Sequence, residues 1–287
     1  MDSESLKIFC AVASELSVTQ AAVRLARAPS NVTTRIQRLE AEMGAELFVR
    51  TGKRMALSTA GDRFLDYAKR LLALEEEARH VVSGGADGGA LRMGSMESTA
   101  ASRLPAVLAN YHVRFPETRL DLITAPSRQL MEHVRSGLLD CAFVALPKAA
   151  NDLSSLGEMG LCSRVIWHEE LCLLLPANEA GCTRISDLRT RALAAFPRGC
   201  TYRGIAETLL SVSNKTEWKI MEMASYHAMV ACVAAGSCTT LLPRSVLALA
   251  AVPETLVTLP AGRVETTLIW RQGFDVPSFQ NLLSQLP

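Results

Sequence analysis

Residues 17–48 read SVTQAAVRLARAPSNVTTRIQRLEAEMGAELF, and two apolar registers of helical spacing meet in them across a very short break. Val18, Ala21, Ala22 and Leu25 form one stripe; Val32, Ile36, Leu39 and Met43 form the next. Ser17 precedes the first stripe with Gln20 three residues on, a capping-box pattern. Only Ala26 to Pro29 separates the two helices, so the pair reads as a helix-turn-helix. Upstream, Leu6, Phe9, Ala13 and Leu16 supply a third amphipathic helix. Downstream, Val49 to Ser58 alternates around Gly52 and carries Arg50, Lys53 and Arg54, which suits a β-hairpin wing with a basic tip.

The face opposite Val32, Ile36 and Leu39 bears Ser30, Thr34 and Gln37, flanked by Thr33 and Arg38. Small polar groups at a helix N-terminus can approach base edges and phosphates; an ordinary solvated helix face is the other reading. Net charge over the 287 residues is only +1. Between Arg24 and Arg54, however, seven basic residues stand against three acidic ones, a local excess that fits a nucleic-acid-binding end. Hydrophobic residues make up 49% and charged residues 21%, which permits sizeable cores and excludes a disordered chain. Apolar runs such as Leu171–Pro176 are far shorter than a membrane span, and Met1 to Ser5 lacks a signal-peptide layout, so a cytoplasmic protein with no membrane partner is expected. None of the eight cysteines forms a C-x-x-C pair, and no metal site is expected. No catalytic motif is legible, five scattered histidines included, so an enzyme is not expected and no cofactor is called for.

Thr59, with Asp62 three residues on, can cap a helix running to about residue 82, roughly 36 Å long at 1.5 Å per residue. Phe64, Tyr67, Leu71, Leu74, Ala78 and Val81 follow coiled-coil steps along it. A helix packed on its own domain would look similar. Residues 83–89, SGGADGG, have the composition of a flexible hinge. Beyond them, apolar strands alternate with helical segments: Leu91–Ser95, a helix to Phe115, Leu120–Thr124, a helix through Val134, and Cys141–Leu146. Further strands are expected at Leu171–Leu175, Leu193–Phe196, Lys219–Met223, Thr239–Leu242 and Thr266–Trp270. That alternation implies parallel βαβ sheets, with ligands outside the carboxyl ends of strands.

The run Leu6, Phe9, Val12-Ala13, Ser17, Ala21-Ala22, Leu25, Val32-Thr33, Ile36, Leu39-Glu40, Gly44, Leu47-Phe48, Arg50, Leu57-Ser58 and Ala60-Gly61 closely resembles the winged helix-turn-helix of LysR-type transcriptional regulators. The match is gapless over about the first 60 residues. Ala28-Pro29-Ser30-Asn31 departs from it in lacking the glutamine often found at the recognition-helix start. The resemblance implies an all-α winged helix-turn-helix over 1–58, a dimerisation helix over 59–82, a hinge over 83–89 and an α/β regulatory domain over 90–287. That domain would have two lobes like those of periplasmic solute-binding proteins, about 90–160 with 263–287 and about 161–262, the chain crossing near Leu161 and Arg263. The implied function is a bacterial DNA-binding regulator whose output a small-molecule effector modulates from the cleft between the lobes. Thr19, Gln20, Pro29, Ser30, Asn31, Thr33, Thr34, Arg35, Arg38, Arg50, Lys53 and Arg54 are the expected DNA contacts.

For the effector, strand ends and helix starts nominate Glu97, Ser98, Thr99, Thr124, Ser127, Leu146, Arg198, Cys200, Thr201 and Tyr226. Their hydroxyls and N–H groups suit a small anionic metabolite, and each is equally an ordinary helix cap. Cys200 lies between Arg198 and Arg203 at a helix start, a setting that lowers a thiol pKa. Since one family branch senses peroxide through cysteine, a thiol redox switch is the alternative reading; effector lining or inert packing are the others. Partners implied by the resemblance are double-stranded operator DNA, further copies of the chain in a homodimer or homotetramer, and RNA polymerase if the protein activates.

Overall fold

The computed structural model describes all residues except 52–53, 84–88, 147–152, 213–216 and 251. It divides into two compact units, Met1–Gly84 and Gly85–Pro287. The expected hinge falls almost wholly on residues outside the described set, as does Lys53.

In the first unit, helices α1 (Ser3–Glu15), α2 (Val18–Arg24) and α3 (Pro29–Met43) precede a hairpin of β1 (Phe48–Thr51) and β2 (Arg54–Leu57), and α4 (Thr59–Ser83) closes the unit. Each boundary has a local cause. Asp2 caps α1 by accepting from Ser5 N at 2.7 Å, and Ser17 caps α2 by accepting from Gln20 N at 3.3 Å. Pro29 occupies the first turn of α3, where its missing N–H costs no helical bond, and Gly44 ends that helix in the left-handed region. Phe9 sits at the centre of the core, its ring centroid 5.3 Å from that of Phe48 and 5.1 Å from that of Phe64. Leu6, Val12, Ala21, Ala22, Val32, Ile36 and Leu39 surround it. One expectation is corrected here. The cap of α4 is Ser58, whose Oγ accepts from Gly61 N at 2.9 Å and donates to Glu46 O at 2.6 Å; Thr59 is already helical.

The second unit is built on one eight-stranded sheet in the order β4-β3-β5-β10-β6-β9-β7-β8. Strands β3 (Ala90–Ser95), β4 (Arg119–Thr124) and β5 (Cys141–Ala145) run parallel, as do β7 (Ala192–Ala195), β8 (Lys219–Glu222) and β9 (Thr239–Pro243). Between these sets lie two 15-residue strands, β6 (Leu161–Leu175) and β10 (Val257–Arg271), antiparallel to each other. The expectation of parallel sheets is therefore corrected to a mixed sheet. Only the apolar ends of the two long strands, Leu171–Leu175 and Thr266–Trp270, carried a strand pattern. Their remaining halves alternate irregularly among charged residues such as Arg164, His168, Glu170 and Arg263, and bulges at Pro260/Gly262 and Thr266/Thr267 break the period.

The first lobe gathers β3–β5 with α5 (Glu97–Ser102), α6 (Leu104–Arg114), α7 (Ser127–Ser136), α8 (Leu153–Glu158) and the late helix α12 (Pro277–Leu283). The second gathers β7–β9 with α9 (Thr201–Leu209), α10 (Tyr226–Ala234) and α11 (Arg244–Leu247). The single helix expected up to Phe115 is two, because Leu104-Pro105 restarts the helix after a break at Arg103.

Gly61 marks where α4 touches the rest of the first unit. A Cβ there would lie 1.9 Å from the Leu47 carbonyl oxygen, which belongs to the backbone and cannot move aside cheaply. Helix propensity alone favours Gly61→Ala by about 1 kcal/mol. The close approach reverses the sign, and the variant should lose roughly 1–3 kcal/mol. Urea unfolding of the full chain measures this; a stabilised variant would contradict the close packing.

Candidate functional site

In the helix-turn-helix, Thr19, Gln20, Pro29, Ser30, Asn31, Thr33, Thr34 and Arg38 are all exposed and Arg35 half so, while Val32, Ile36 and Leu39 of the same helix face the core. Thr33 and Thr34 turn their hydroxyls back to the Pro29 and Ser30 carbonyls, both at 2.9 Å, which holds the rotamers and presents the methyl groups outward. The basic residues are already paired. Arg35 binds Asp2 at 3.0 Å, Arg38 binds Glu42 at 3.3 Å, Arg24 binds Glu15 at 3.1 Å and Arg27 binds Glu4 at 2.6 Å. Arg50 and Arg54 occupy paired strands of the hairpin, their side chains lying outside the described atoms.

Along α4 the expected seam divides. Phe64 packs into the core of its own unit, with Leu65, Ala68 and Leu72 beside it, and so does not belong to a free face. Its position one turn after Gly61 brings it under α1, which the heptad spacing does not distinguish from a seam. Tyr67, Leu71 and Leu74, at 59%, 42% and 61% exposure, and exposed Ala78 do form a free apolar stripe. The side chain of Val81 lies outside the described atoms.

Of the cavities between the lobes among the described residues, two take in most of the expected residues. The smaller, 380 Å³, is lined by Glu97, Ser98, Thr124, Ser127, Cys200 and Tyr226, all expected from the sequence. Met96, Ala125, Pro126, Phe196, Pro197, Tyr202 and Ala224 also line it and were not expected. Five of those missed, Met96, Ala125, Pro126, Pro197 and Ala224, follow the end of an expected strand by a residue or two. Tyr202 gave no signal, because a tyrosine inside an apolar helical stripe reads as core. The larger cavity, 1230 Å³, takes in Ser127, Leu146, Cys200 and Thr201 together with α7, α9 and the bulged parts of the long strands. Arg198 lines neither; it faces a surface pocket beside Arg128 and His133. Thr99 is buried in α5 and lines none of these cavities, so its expected contact is corrected: the helix rotates it a third of a turn from Ser98 into the packing.

Helices α5, α7, α9 and α10 all begin at the smaller cavity, so four positive dipole ends converge on it. Ser127 Oγ accepts from Ala145 N at 3.2 Å, and Thr201 Oγ1 donates to Ala145 O at 2.6 Å across the lobes. Phe196 and Tyr226 meet edge-on at 4.8 Å to form an aromatic wall. The Tyr226 hydroxyl is pushed well above the usual phenol range by burial, with Tyr202, Cys200 and Glu97 adding to the effect.

Cys200 caps α9, but its thiol is pushed up, not down. Burial dominates; the N–H groups of Arg203 and Tyr202 and the charge of Arg203 only partly oppose it. Arg203 is committed elsewhere, to Glu207 at 2.7 Å, Glu222 at 2.6 Å and the Phe196 carbonyl at 3.1 Å. The expected activation of this thiol is corrected accordingly.

A helix-turn-helix with an exposed polar recognition face in one unit, and a two-lobed cleft in the other, define a ligand-responsive DNA-binding protein. Residues 3–62 match the bacterial regulatory helix-turn-helix protein, lysR family, and residues 84–286 match the LysR substrate binding domain. The chain belongs to the LysR family of transcriptional regulators, joining a DNA-binding helix-turn-helix to an effector-binding domain. It is 34% identical over 249 residues to the HTH-type transcriptional regulator GltR of Bacillus subtilis, covering 86% of this chain and 81% of that one. Among solved structures it is similar to CbnR, a LysR family transcriptional regulator, with a TM-score of 0.70 and 23% identity over 99% of this chain and 98% of that one. Full-length CbnR complexed with its target DNA is similar too, at a TM-score of 0.69 and 23% identity, over 100% and 99% of the two chains.

The raised thiol pKa of Cys200 has a direct chemical consequence. The thiolate is the reactive form, so at pH 7.5 Cys200 should react with iodoacetamide several-fold more slowly than free glutathione. Peptide mass spectrometry after timed quenching measures the rate at this position. Labelling as fast as glutathione or faster would restore the redox reading.

Proposed function

We propose that the protein acts in the cytoplasm as a homo-oligomer, a dimer or tetramer, on double-stranded operator DNA, contacting RNA polymerase where it activates. Thr19, Gln20, Ser30, Asn31, Thr33 and Thr34 meet base edges and sugar-phosphate, while Arg35, Arg38, Arg50, Lys53 and Arg54 neutralise phosphates. The exposed polar face of α3 supports this assignment, as does the likeness to CbnR, whose complex with target DNA is known. A small metabolite bearing an oxyanion binds in the 380 Å³ cavity and alters the DNA complex. The observation that carries this reading is the convergence of four helix N-termini from both lobes on one cavity.

A thermal-shift survey of metabolites tests the effector assignment. A ligand at 100 times its dissociation constant adds about 2.7 kcal/mol, roughly 5–10 °C for a unit of this size. Ala224→Trp, which fills the cavity, should remove that shift. A ligand whose shift survives the substitution binds elsewhere.

The stripe Tyr67, Leu71, Leu74 and Ala78 supports pairing through α4, since a helix of 25 residues with an apolar free face gains from a partner. Leu71→Asp should cost the assembly several kcal/mol by burying a charge. Operator binding should fail with it, because two half-sites need two linked readers. Sedimentation velocity decides: a variant assembled like wild type rules the stripe out as the seam.

A further inference from the structure

Between residues 17 and 48 the helix-turn-helix carries four cations, Arg24, Arg27, Arg35 and Arg38, and no lysine. Each already has a carboxylate. Three of these carboxylates come from α1 or its cap: Glu15 holds Arg24 at 3.1 Å, Glu4 holds Arg27 at 2.6 Å and Asp2 holds Arg35 at 3.0 Å. The fourth, Glu42, lies one turn beyond Arg38 on α3, at 3.3 Å. Asp2, Glu4 and Glu15 are the only acids of α1 and its cap, and all three are committed in this way. Only the Arg38 pair has the spacing at which charges meet on any helix. The others join α1 to α2, to the turn after it and to α3, so the tertiary arrangement places them. Every side chain in the four pairs is 33% exposed or more, so neither burial nor stability requires the pairing. A phosphate can reach each guanidinium once its carboxylate lets go.

We propose that Asp2, Glu4, Glu15 and Glu42 act as built-in stand-ins for DNA phosphates, occupying the arginines of the helix-turn-helix and restraining its hold on duplex of any sequence; this rests on the reading of Arg35 and Arg38 as phosphate contacts. Carboxylate and phosphate compete for the same guanidinium donors, and each arginine must release one before it takes the other. Sequence-independent affinity comes from cations that neutralise phosphates and displace counterions. An arginine neutralised beforehand by its own chain adds to that affinity only after the exchange. The released carboxylate then stays beside the DNA backbone and repels it. The restraint acts on the sequence-independent part of binding alone and leaves the outward groups of Ser30, Thr33 and Thr34 untouched, so a larger share of the affinity is left to sequence. The acids of α1 are thus specificity-determining residues that touch no base.

Fluorescence anisotropy of the full-length protein on a mixed-sequence DNA duplex tests this. Asp2→Asn removes a charge while keeping an acceptor for Ser5 N at the start of α1. Glu4→Gln and Glu15→Gln keep both size and helix propensity. Each single variant should bind the duplex about two- to fivefold more tightly, the range that exposed pairs allow. The triple variant should gain about tenfold or more, since separate sites add in free energy. The gain should shrink as salt rises, and the melting temperature should stay near wild type. A merely structural clasp gives the opposite sign, with Asp2→Asn lowering both melting temperature and affinity. In an Arg35→Ala background Asp2→Asn should lose its effect, which separates pairing from net charge. Asp2→Asn and this cycle carry the test alone if the triple variant fails to fold. Unchanged or weaker binding without the carboxylates overturns the proposal, as does an equal gain from Asp2→Asn when Arg35 is absent. If Arg35→Ala and Arg38→Ala leave wild-type affinity unchanged, the reading of these arginines as phosphate contacts falls as well. Weakened binding in those two variants alongside no gain in Asp2→Asn leaves that reading standing and removes only the stand-ins.

Discussion

The pairing of β6 with β10 is the constraint on which the regulatory unit depends. Both strands run through the middle of the sheet, and their register holds from Val257↔Leu175 to Arg271↔Leu161 apart from two bulges. One end of β10 pairs with β5 of the first lobe, and the Leu171–Leu174 end of β6 pairs with β9 of the second. Each lobe is thus hydrogen-bonded to the same ribbon, and the lobes share it as their only sheet connection among the described residues. A two-stranded ribbon twists and bends more readily than a wide sheet. The bulges at Pro260/Gly262 and Thr266/Thr267 flank the short span, Arg263 to Glu265, that pairs with neither lobe's own strands.

The same ribbon explains where the cleft has to be. Parallel strands on either side end at helix N-termini, and the ribbon turns those two sets of ends toward each other. Side chains at the crossing then tie the lobes together. Buried Glu169 on β6 accepts from Arg103 Nε of the first lobe at 2.7 Å and from Ser245 Oγ of the second at 2.7 Å, while Ser102 donates to Ser245 at 3.2 Å. Removing one partner from such a buried charge leaves it uncompensated, so the network resists rearrangement in pieces. Thr201 adds a further bond across the lobes. Two ties therefore bridge the lobes, one through Glu169 and one through Thr201.

Sequence reasoning reached the first unit best because each of its signals was local. Caps at Ser17, the proline at the start of α3, Gly44 at its end and the three apolar stripes all act within a few residues, and none needs a distant partner. The regulatory unit shows the reverse. Its short strands were legible as apolar runs, but β6 and β10 each extend some ten residues into charged, bulged sequence that only their mutual pairing makes extended. Tyr202, which lines the smaller cavity, was invisible for a related reason: it sits on a helical stripe that reads as core. Ser98, Ser127 and Tyr226, which line the cavity, were legible because a strand end before a helix start is a local signal too. Phe64 and Thr99 mark the limit: spacing fixes the face of a helix only to within a neighbouring position.

The helix-turn-helix unit raises a different question, since the arginines on the exposed face of α3 are already engaged. Arg35 is held by Asp2 and Arg38 by Glu42, and the Met1 ammonium also reaches Glu42. Asp2 does double duty. Its carboxyl lies at about 2, below the usual range, chiefly because it accepts from Ser5 N and Ser5 hydroxyl at the start of α1, with Arg35 adding a smaller push. Exposed ion pairs like these contribute little to stability, being screened and entropically costly. Exchanging a carboxylate for a phosphate therefore takes little from the fold while keeping each guanidinium in place. The pairs lower the net field of a chain whose overall charge is only +1, which weakens the sequence-independent part of DNA binding. In the proposed mode of binding, what remains to discriminate one site from another is the outward face of Ser30, Thr33 and Thr34, which follows the turn that Ala26 makes in the left-handed region. On that proposal specificity rests on the geometry of one turn and the rotamers of two threonines more than on charge.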